Sequence, residues 1–504
     1  MGFYHSTRSA SPTFTSKEAI RRGIAPDGGL FVSDDLGGTT IDISTLADKD
    51  YPTLAREVMG ALLPDYSADE IAACVDEAYT GTFASSEVTP LMPLSQAPNA
   101  DGTPTYVMEL FGGPTSAFKD VALQMLPRLM ARTAGAEGER IMIVTATSGD
   151  TGKAALAGFA DAPGCGITVF YPEGKVSHVQ NLQMSTQEGA NVAVCAVRGN
   201  FDDAQTAVKQ IFANKELGER LAAGGTILSS ANSINVGRLV PQVVYYFAAY
   251  AQLLRAGAIQ VGDAVEFCVP TGNFGDILAG YYAKRMGLPV AKLLVASDKN
   301  NVLTDFLATG TYDRERPFYT TTSPSMDILV SSNLERMLYY LAEGDCELVA
   351  DLMSKLTDEG NYQIPTELLE RIRTVFDGGW ADEDQVAAAI RRCWDENGYV
   401  IDPHTACGYH VMEQTAAVEG TACRVLLSTA SPYKFPKAVA EALGLFCPPD
   451  DFACMEVLAK HTGTTAPVQL AELKTKPVRF EDVVDVADMG SYVEQAANRI
   501  AEEA

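Results

Sequence analysis

Lysine 119 stands in unusual surroundings. It lies in residues 111–120, FGGPTSAFKD, with Phe118 before it and Val121, Ala122 and Leu123 soon after. An amine among apolar groups is harder to protonate, so its pKa falls and it can attack an aldehyde. The segment alone also fits a lysine that reaches water over an apolar surface. Residues 145–152, TATSGDTG, run from the end of an apolar stretch into a helix-like one. Backbone N–H groups there, with the hydroxyls of Thr147, Ser148 and Thr151, would converge on an anion at the helix start, or would simply cap that helix. Residues 270–276, PTGNFGD, have the same setting, and Gly272 and Gly275 let backbone approach a ligand closely. Residues 427–432, LSTASP, end a late apolar run and offer a hydroxyl where doubly wound sheets bind ligands.

None of the glycine loops has the spacing of an ATP-binding G-x-x-x-x-G-K-[ST] loop or a dinucleotide-binding G-x-G-x-x-G turn. An aldehyde-competent lysine, two strand-to-helix anion sites and a strand-end hydroxyl are together what a pyridoxal phosphate (PLP) cleft requires.

The elements that must position these groups are short buried strands alternating with helices. Apolar runs at 140–145, 166–171, 191–197, 264–270 and 423–428 are rich in β-branched residues and predict parallel strands covered on both faces. From 325 to 400 the runs give way to acidic, helix-like text such as 335–341 and 382–394, predicting a helical insertion. Before residue 95 the pattern is mainly helical, with a capping box at Thr15 and Glu18, a short strand at 30–32 and helices at 51–63 and 67–79.

With 504 residues the chain has room for several domains, and its formal charge of -27 disfavours nucleic acid and anionic membranes as partners. It also requires local cations to gather any anionic ligand. The ten cysteines form no C-x-x-C pair and, with five scattered histidines, give no metal-ligand spacing; they read as free buried thiols. The opening residues lack a secretory apolar run, and residues 239–254 are too short and too polar for a membrane span. A cytoplasmic location is expected, and a monomer or small homo-oligomer both remain open.

These segments resemble PLP enzymes of fold type II, and among them the longer class of the threonine synthase family. The likeness extends through YHSTR (4–8), GIAPDGGL (23–30), YPEGKVS (171–177), NSIN (232–235) with Arg238, and SMDILVSS (325–332). It implies an α/β fold of two doubly wound domains, with a helical N-terminal domain over 1–95. Residues 96–138 and 245–504 would form the large domain and 139–244 the small one. It implies that Lys119 bonds the cofactor aldehyde, that Gly272, Asn273, Phe274, Gly275 and Asp276 take the cofactor phosphate, and that Thr429 faces the pyridine nitrogen. Thr147, Ser148, Gly149, Asp150 and Thr151 would hold the substrate's amino-acid end. Many relatives of other specificity carry Asn in place of Asp150, which leaves the partner of the cofactor 3′-oxygen unassigned.

The implied reaction converts O-phosphohomoserine and water to threonine and phosphate. Lys175, Asn232, Asn235 and Arg238 are the further substrate-binding candidates. Arg238 is preferred for the substrate phosphate because a planar guanidinium binds it in a fork. Its alternative is a local role at the start of the 239–254 helix. A PLP-dependent phospholyase and a non-catalytic PLP-binding regulatory protein are the competing readings.

Overall fold

The computed structural model describes residues 3–99, 101–133, 139–147 and 149–503; the candidate Ser148 lies outside them. Two parallel sheets carry the architecture. The larger has six strands in the order Phe376–Trp380, Val290–Ser297, Ala264–Pro270, Thr421–Ser428, Thr105–Glu109 and Leu91–Pro93. Only Leu91–Pro93, at the edge, runs antiparallel. The smaller has five, all parallel, in the order Val483–Asp485, Val192–Arg198, Cys165–Pro172, Arg140–Ala146 and Thr226–Ser229. The β-branched runs of the sequence are these central strands. They are continuously apolar because helices cover both faces.

Helix Val236–Arg255 contains the apolar run of 239–254 and is buried along nearly its whole length. It packs on Lys119–Ala131, Tyr51–Leu62 and Gly275–Arg285, so it is a core helix joining the N-terminal region to the helices that begin at Lys119 and Gly275. Among the described residues no helix is long and apolar enough to cross a membrane.

Three features depart from the expectations. The N-terminal region holds a three-stranded antiparallel sheet, Ser9–Phe14, Tyr4–Ser6 and Phe31–Ser33, beside its helices. Within the expected helical insertion, Phe376–Trp380 joins the large sheet alongside Val290–Ser297. Its sequence, FDGGW, has little β propensity, and pairing with a buried strand overrides that deficit. The chain end, expected in the large domain, returns to the small sheet: Val483–Asp485 pairs with Val192–Arg198, and Met489–Glu503 packs on Phe201–Ala213.

The expected free thiols also need one correction. Cys447 and Cys454 form a disulfide with Cα atoms 5.3 Å apart, because the chain turns back between them into helix Asp451–Thr462. The other eight cysteines are free.

Candidate active site

The four glycine- and hydroxyl-rich segments meet at the C-terminal ends of the parallel strands. The lysine segment is zipped to the end of the strand Thr421–Ser428. Leu110 N–H donates to Ser428 O (3.0 Å), Phe118 N–H to Thr429 O (2.8 Å) and Ser431 N–H to Ser116 O (3.1 Å). Asp120 fixes the preceding turn by accepting from Thr115 N–H (2.8 Å) and Thr115 Oγ1 (2.7 Å). These bonds leave Lys119 at the first position of helix Lys119–Ala131, beside Thr429, with both residues lining one cavity of about 510 Å³. That size suits a small-molecule site.

Lys119 is buried, its Nζ 4.7 Å from the centre of the Phe118 ring. Burial pulls its pKa down to about 8; Lys434 and Arg238 pull the same way, and Asp150 opposes them. Nζ donates to Ser325 Oγ (3.2 Å) and lies 3.7 Å from Asp150 Oδ2. Asp150 is itself buried, which would favour its neutral form. Lys434, whose Nζ is 2.7 Å from Oδ1, and Lys119 overcome that and hold the carboxylate well below the usual range. Gln180 Nε2 donates to the same Oδ1 at 3.1 Å.

The loop 270–276 faces the lysine across the cavity. Phe274 adopts a left-handed conformation (φ +60°), which turns the chain into helix Gly275–Arg285. A Cβ on Gly272 would lie 3.1 Å from Ser325 O, and one on Gly275 would lie 3.3 Å from Asn333 Nδ2. The loop is laced to 331–333: Ser331 Oγ donates to Gly272 O (2.7 Å), Ser332 Oγ to Asn273 Oδ1 (3.1 Å), and Asn333 N–H to Asn273 O (3.0 Å). Asp276, in the first helical turn, is buried and receives both Tyr245 and Tyr246 hydroxyls on Oδ1, while Oδ2 has no partner among the described residues. Burial pushes this carboxyl up to about 7, against those two hydrogen bonds and the charge of Lys119.

The remaining candidates divide. Thr151, Asn232 and Arg238 line the cavity. Arg238 is buried; its Nη1 donates to Ala231 O (3.1 Å), its Nε has no partner among the described residues, and burial lowers its pKa to about 10. Thr147 also lines the cavity, but its Oγ1 already accepts from the N–H groups of Gly149 and Gly152, both at 2.9 Å. Gly149 (φ +142°) shapes this turn, since a Cβ there would lie 2.4 Å from the Gln180 side chain.

Three candidates are not among the residues that line the cavity: Gly149, which shapes the turn just described, Asn235 and Lys175. Asn235 caps helix Val236–Arg255, its amide spent on Ile20 O and Ser230 O and its Oδ1 on Gly237 N–H. Lys175 is exposed beyond the strand Cys165–Pro172. Conversely, sequence reasoning passed over Lys434, Ser325 and the pair His404–Asp402. Lys434 lies just past the LSTASP segment, so the run of apolar residues around it was the available signal.

These residues fit PLP. The buried amine suits its aldehyde, and the Gly272–Gly275 cradle, which a Cβ would narrow, suits its phosphate at a helix start.

The chain matches the pyridoxal-phosphate dependent enzyme family over residues 84–428, the threonine synthase N terminus over 3–79 and the threonine synthase C-terminal family over 405–493. It is 39% identical to threonine synthase of Schizosaccharomyces pombe over 478 residues, covering 88% of this chain and 90% of that one. It is 40% identical to human threonine synthase-like 1 over 438 residues, covering 84% of this chain, but it spans only 58% of that longer protein. The solved PLP-bound threonine synthase of Brucella melitensis superposes with a TM-score of 0.85 at 37% identity, covering 99% of this chain and 100% of that one. The chain therefore belongs to the threonine synthase family of PLP-dependent enzymes.

Proposed function

We propose that the protein is a threonine synthase, converting O-phosphohomoserine and water to threonine and phosphate. The observation that carries this reading is the buried Lys119 amine, opening with Thr429, Arg238 and the 272–276 loop into one cavity. When bound, PLP supplies the electron sink that makes the substrate's Cα and Cβ protons acidic. Lys119 Nζ takes the Cα proton as general base; with its pKa drawn down to about 8, a useful fraction is neutral near physiological pH. Thr429, which lines the cavity, would offer the ring nitrogen a neutral hydroxyl and no charge.

Arg238 meets the substrate phosphate. Its Nε, unpaired among the described residues, and its burial make it a cation whose hydrogen bonds to an anion would be little weakened by water. Phe118 and Met326 help to wall water from the reacting atoms. A biosynthetic step of this kind fits a cytoplasmic location.

Incubation of the PLP-loaded protein with O-phosphohomoserine tests the reading. Equal amounts of threonine and phosphate support it. Release of 2-oxobutyrate with phosphate would identify a phospholyase instead, and absence of turnover would point to a binding protein.

A further inference from the structure

Lys119 must let go of the cofactor when substrate binds, and its amine then needs a fixed place from which to act. The structure holds such a place. Lys119 Nζ donates to Ser325 Oγ at 3.2 Å, and Ser325 Oγ in turn donates to Asp150 Oδ2 at 3.2 Å. A hydroxyl has one proton. Because Ser325 gives that proton to Asp150, its oxygen offers only lone pairs to the lysine. Asp150 stays an acceptor because the ammonium of Lys434, fully enclosed, sits 2.7 Å from its other oxygen.

Ser325 is itself held from behind. Its main-chain N–H donates to His404 Nε2 at 3.2 Å. Nε2 therefore carries no proton, and the imidazole hydrogen is on Nδ1, which meets Asp402 Oδ2 at 2.6 Å. Asp402 is anchored in turn. As N-cap of helix Pro403–Gln414 it accepts from the N–H groups of His404 (3.0 Å) and Thr405 (3.1 Å) and from the Thr405 hydroxyl. The chain of contacts runs from a helix cap, through one imidazole tautomer, to the hydroxyl that touches the lysine.

We propose that Ser325 is a catalytic residue that receives and orients the released amine of Lys119, and that His404, with Asp402 fixing its tautomer, is the positioning residue that holds Ser325 there. The inference rests on Lys119 acting as the base for the Cα proton. A neutral amine has two N–H groups and one lone pair. Ser325 accepts one N–H, which confines the lone pair to the two remaining tetrahedral positions, both directed away from Ser325. After Nζ has taken the proton from Cα, the ammonium keeps its contact with Ser325 and its charge faces Asp150. The proton remains on Nζ; neither Ser325 nor Asp150 takes it.

The experiment follows exchange of the substrate's Cα hydrogen in deuterated water, using the PLP-loaded protein. Ser325→Ala is expected to slow exchange and kcat together, on the order of tenfold to a hundredfold, with KM within about twofold. Cofactor content and borohydride labelling of Lys119 should be unchanged. Asp402→Asn keeps the Oδ1 cap on Thr405, gives up the acceptor for the His404 N–H and donates to Nδ1, so nitrogen NMR of His404 should show the proton moved to Nε2, where it faces the Ser325 N–H. Exchange should fall with it. His404→Leu should behave like Ser325→Ala, whereas His404→Gln, which restores an acceptor, should recover most of the rate.

Unchanged exchange in Ser325→Ala would overturn the proposal, as would full exchange in Asp402→Asn with the tautomer reversed. Equal loss in His404→Gln and His404→Leu would assign His404 to the fold alone. The assay does not depend on threonine being formed. A wild-type protein that exchanges Cα hydrogen yet makes no threonine would refute the proposed reaction while still deciding the role of Ser325.

Discussion

Asp276 offers a test that needs no substrate. Its carboxyl is enclosed at the start of helix Gly275–Arg285 with two tyrosine hydroxyls on one oxygen and, among the described residues, nothing on the other, and its pKa stands at about 7 against an ordinary 3.8. A carboxyl whose folded-state pKa is raised binds its proton more tightly folded than unfolded. It therefore costs nothing below the unfolded pKa, and the cost grows as pH rises from about 4 to about 7 and then levels off. Some three units at about 1.4 kcal/mol each make the plateau about 4 kcal/mol.

Asp276→Asn keeps the acceptor for Tyr245 and Tyr246 and removes the charge. In cofactor-free protein the variant and wild type should melt together near pH 4, and the variant should be the more stable by up to about 4 kcal/mol at pH 8. With unfolding entropy of roughly 2.1 cal/mol/K per residue, that is about 4 °C in Tm for a chain of 504 residues melting as one unit. The assay is a calorimetric pH series of both proteins. A Tm difference independent of pH would show that Asp276 is ionised throughout and would refute this account of the site's electrostatics.

Three further outcomes are expected. Gly275→Val should weaken PLP binding by more than one charged hydrogen bond, roughly 1.5–3 kcal/mol, because the side chain narrows the loop and presses on Asn333; equilibrium titration with PLP checks this, and unchanged affinity would move the phosphate elsewhere. Arg238→Leu should lower kcat/KM for O-phosphohomoserine by roughly ten- to a hundredfold with the cofactor spectrum intact, while an amino acid of similar length without phosphate inhibits both proteins alike. Thiol titration of the unfolded protein should find eight reactive cysteines without reductant and ten with it, since only Cys447 and Cys454 are joined.

The parts of the site that were legible in the sequence are those encoded locally. Glycine and hydroxyl residues at the ends of β-branched runs mark strand-to-helix turns, so the segments 111–120, 270–276 and 427–432 stand out when read together, while the individual roles of Lys119 and Thr429 follow from the family resemblance. Ser325, His404 and Lys434 carry no such mark. Ser325 is 206 residues from Lys119 and 175 from Asp150, and only the folded chain makes them neighbours. Lys175 and Asn235 show the converse: each sits in a segment that resembles the family, yet one lies exposed and the other is spent on a helix cap. Tertiary pairing likewise decided the strand Phe376–Trp380, whose two central glycines hide it from any propensity argument.

The most direct test of the account is where the cofactor bonds to the chain. Borohydride reduction of the PLP-loaded protein, followed by proteolysis and mass spectrometry, should place the pyridoxyl group on Lys119, within residues 111–120. The label should disappear in Lys119→Ala even where that variant still binds PLP. A label on Lys434, the other buried lysine of the site, or on any lysine outside the cavity would contradict it.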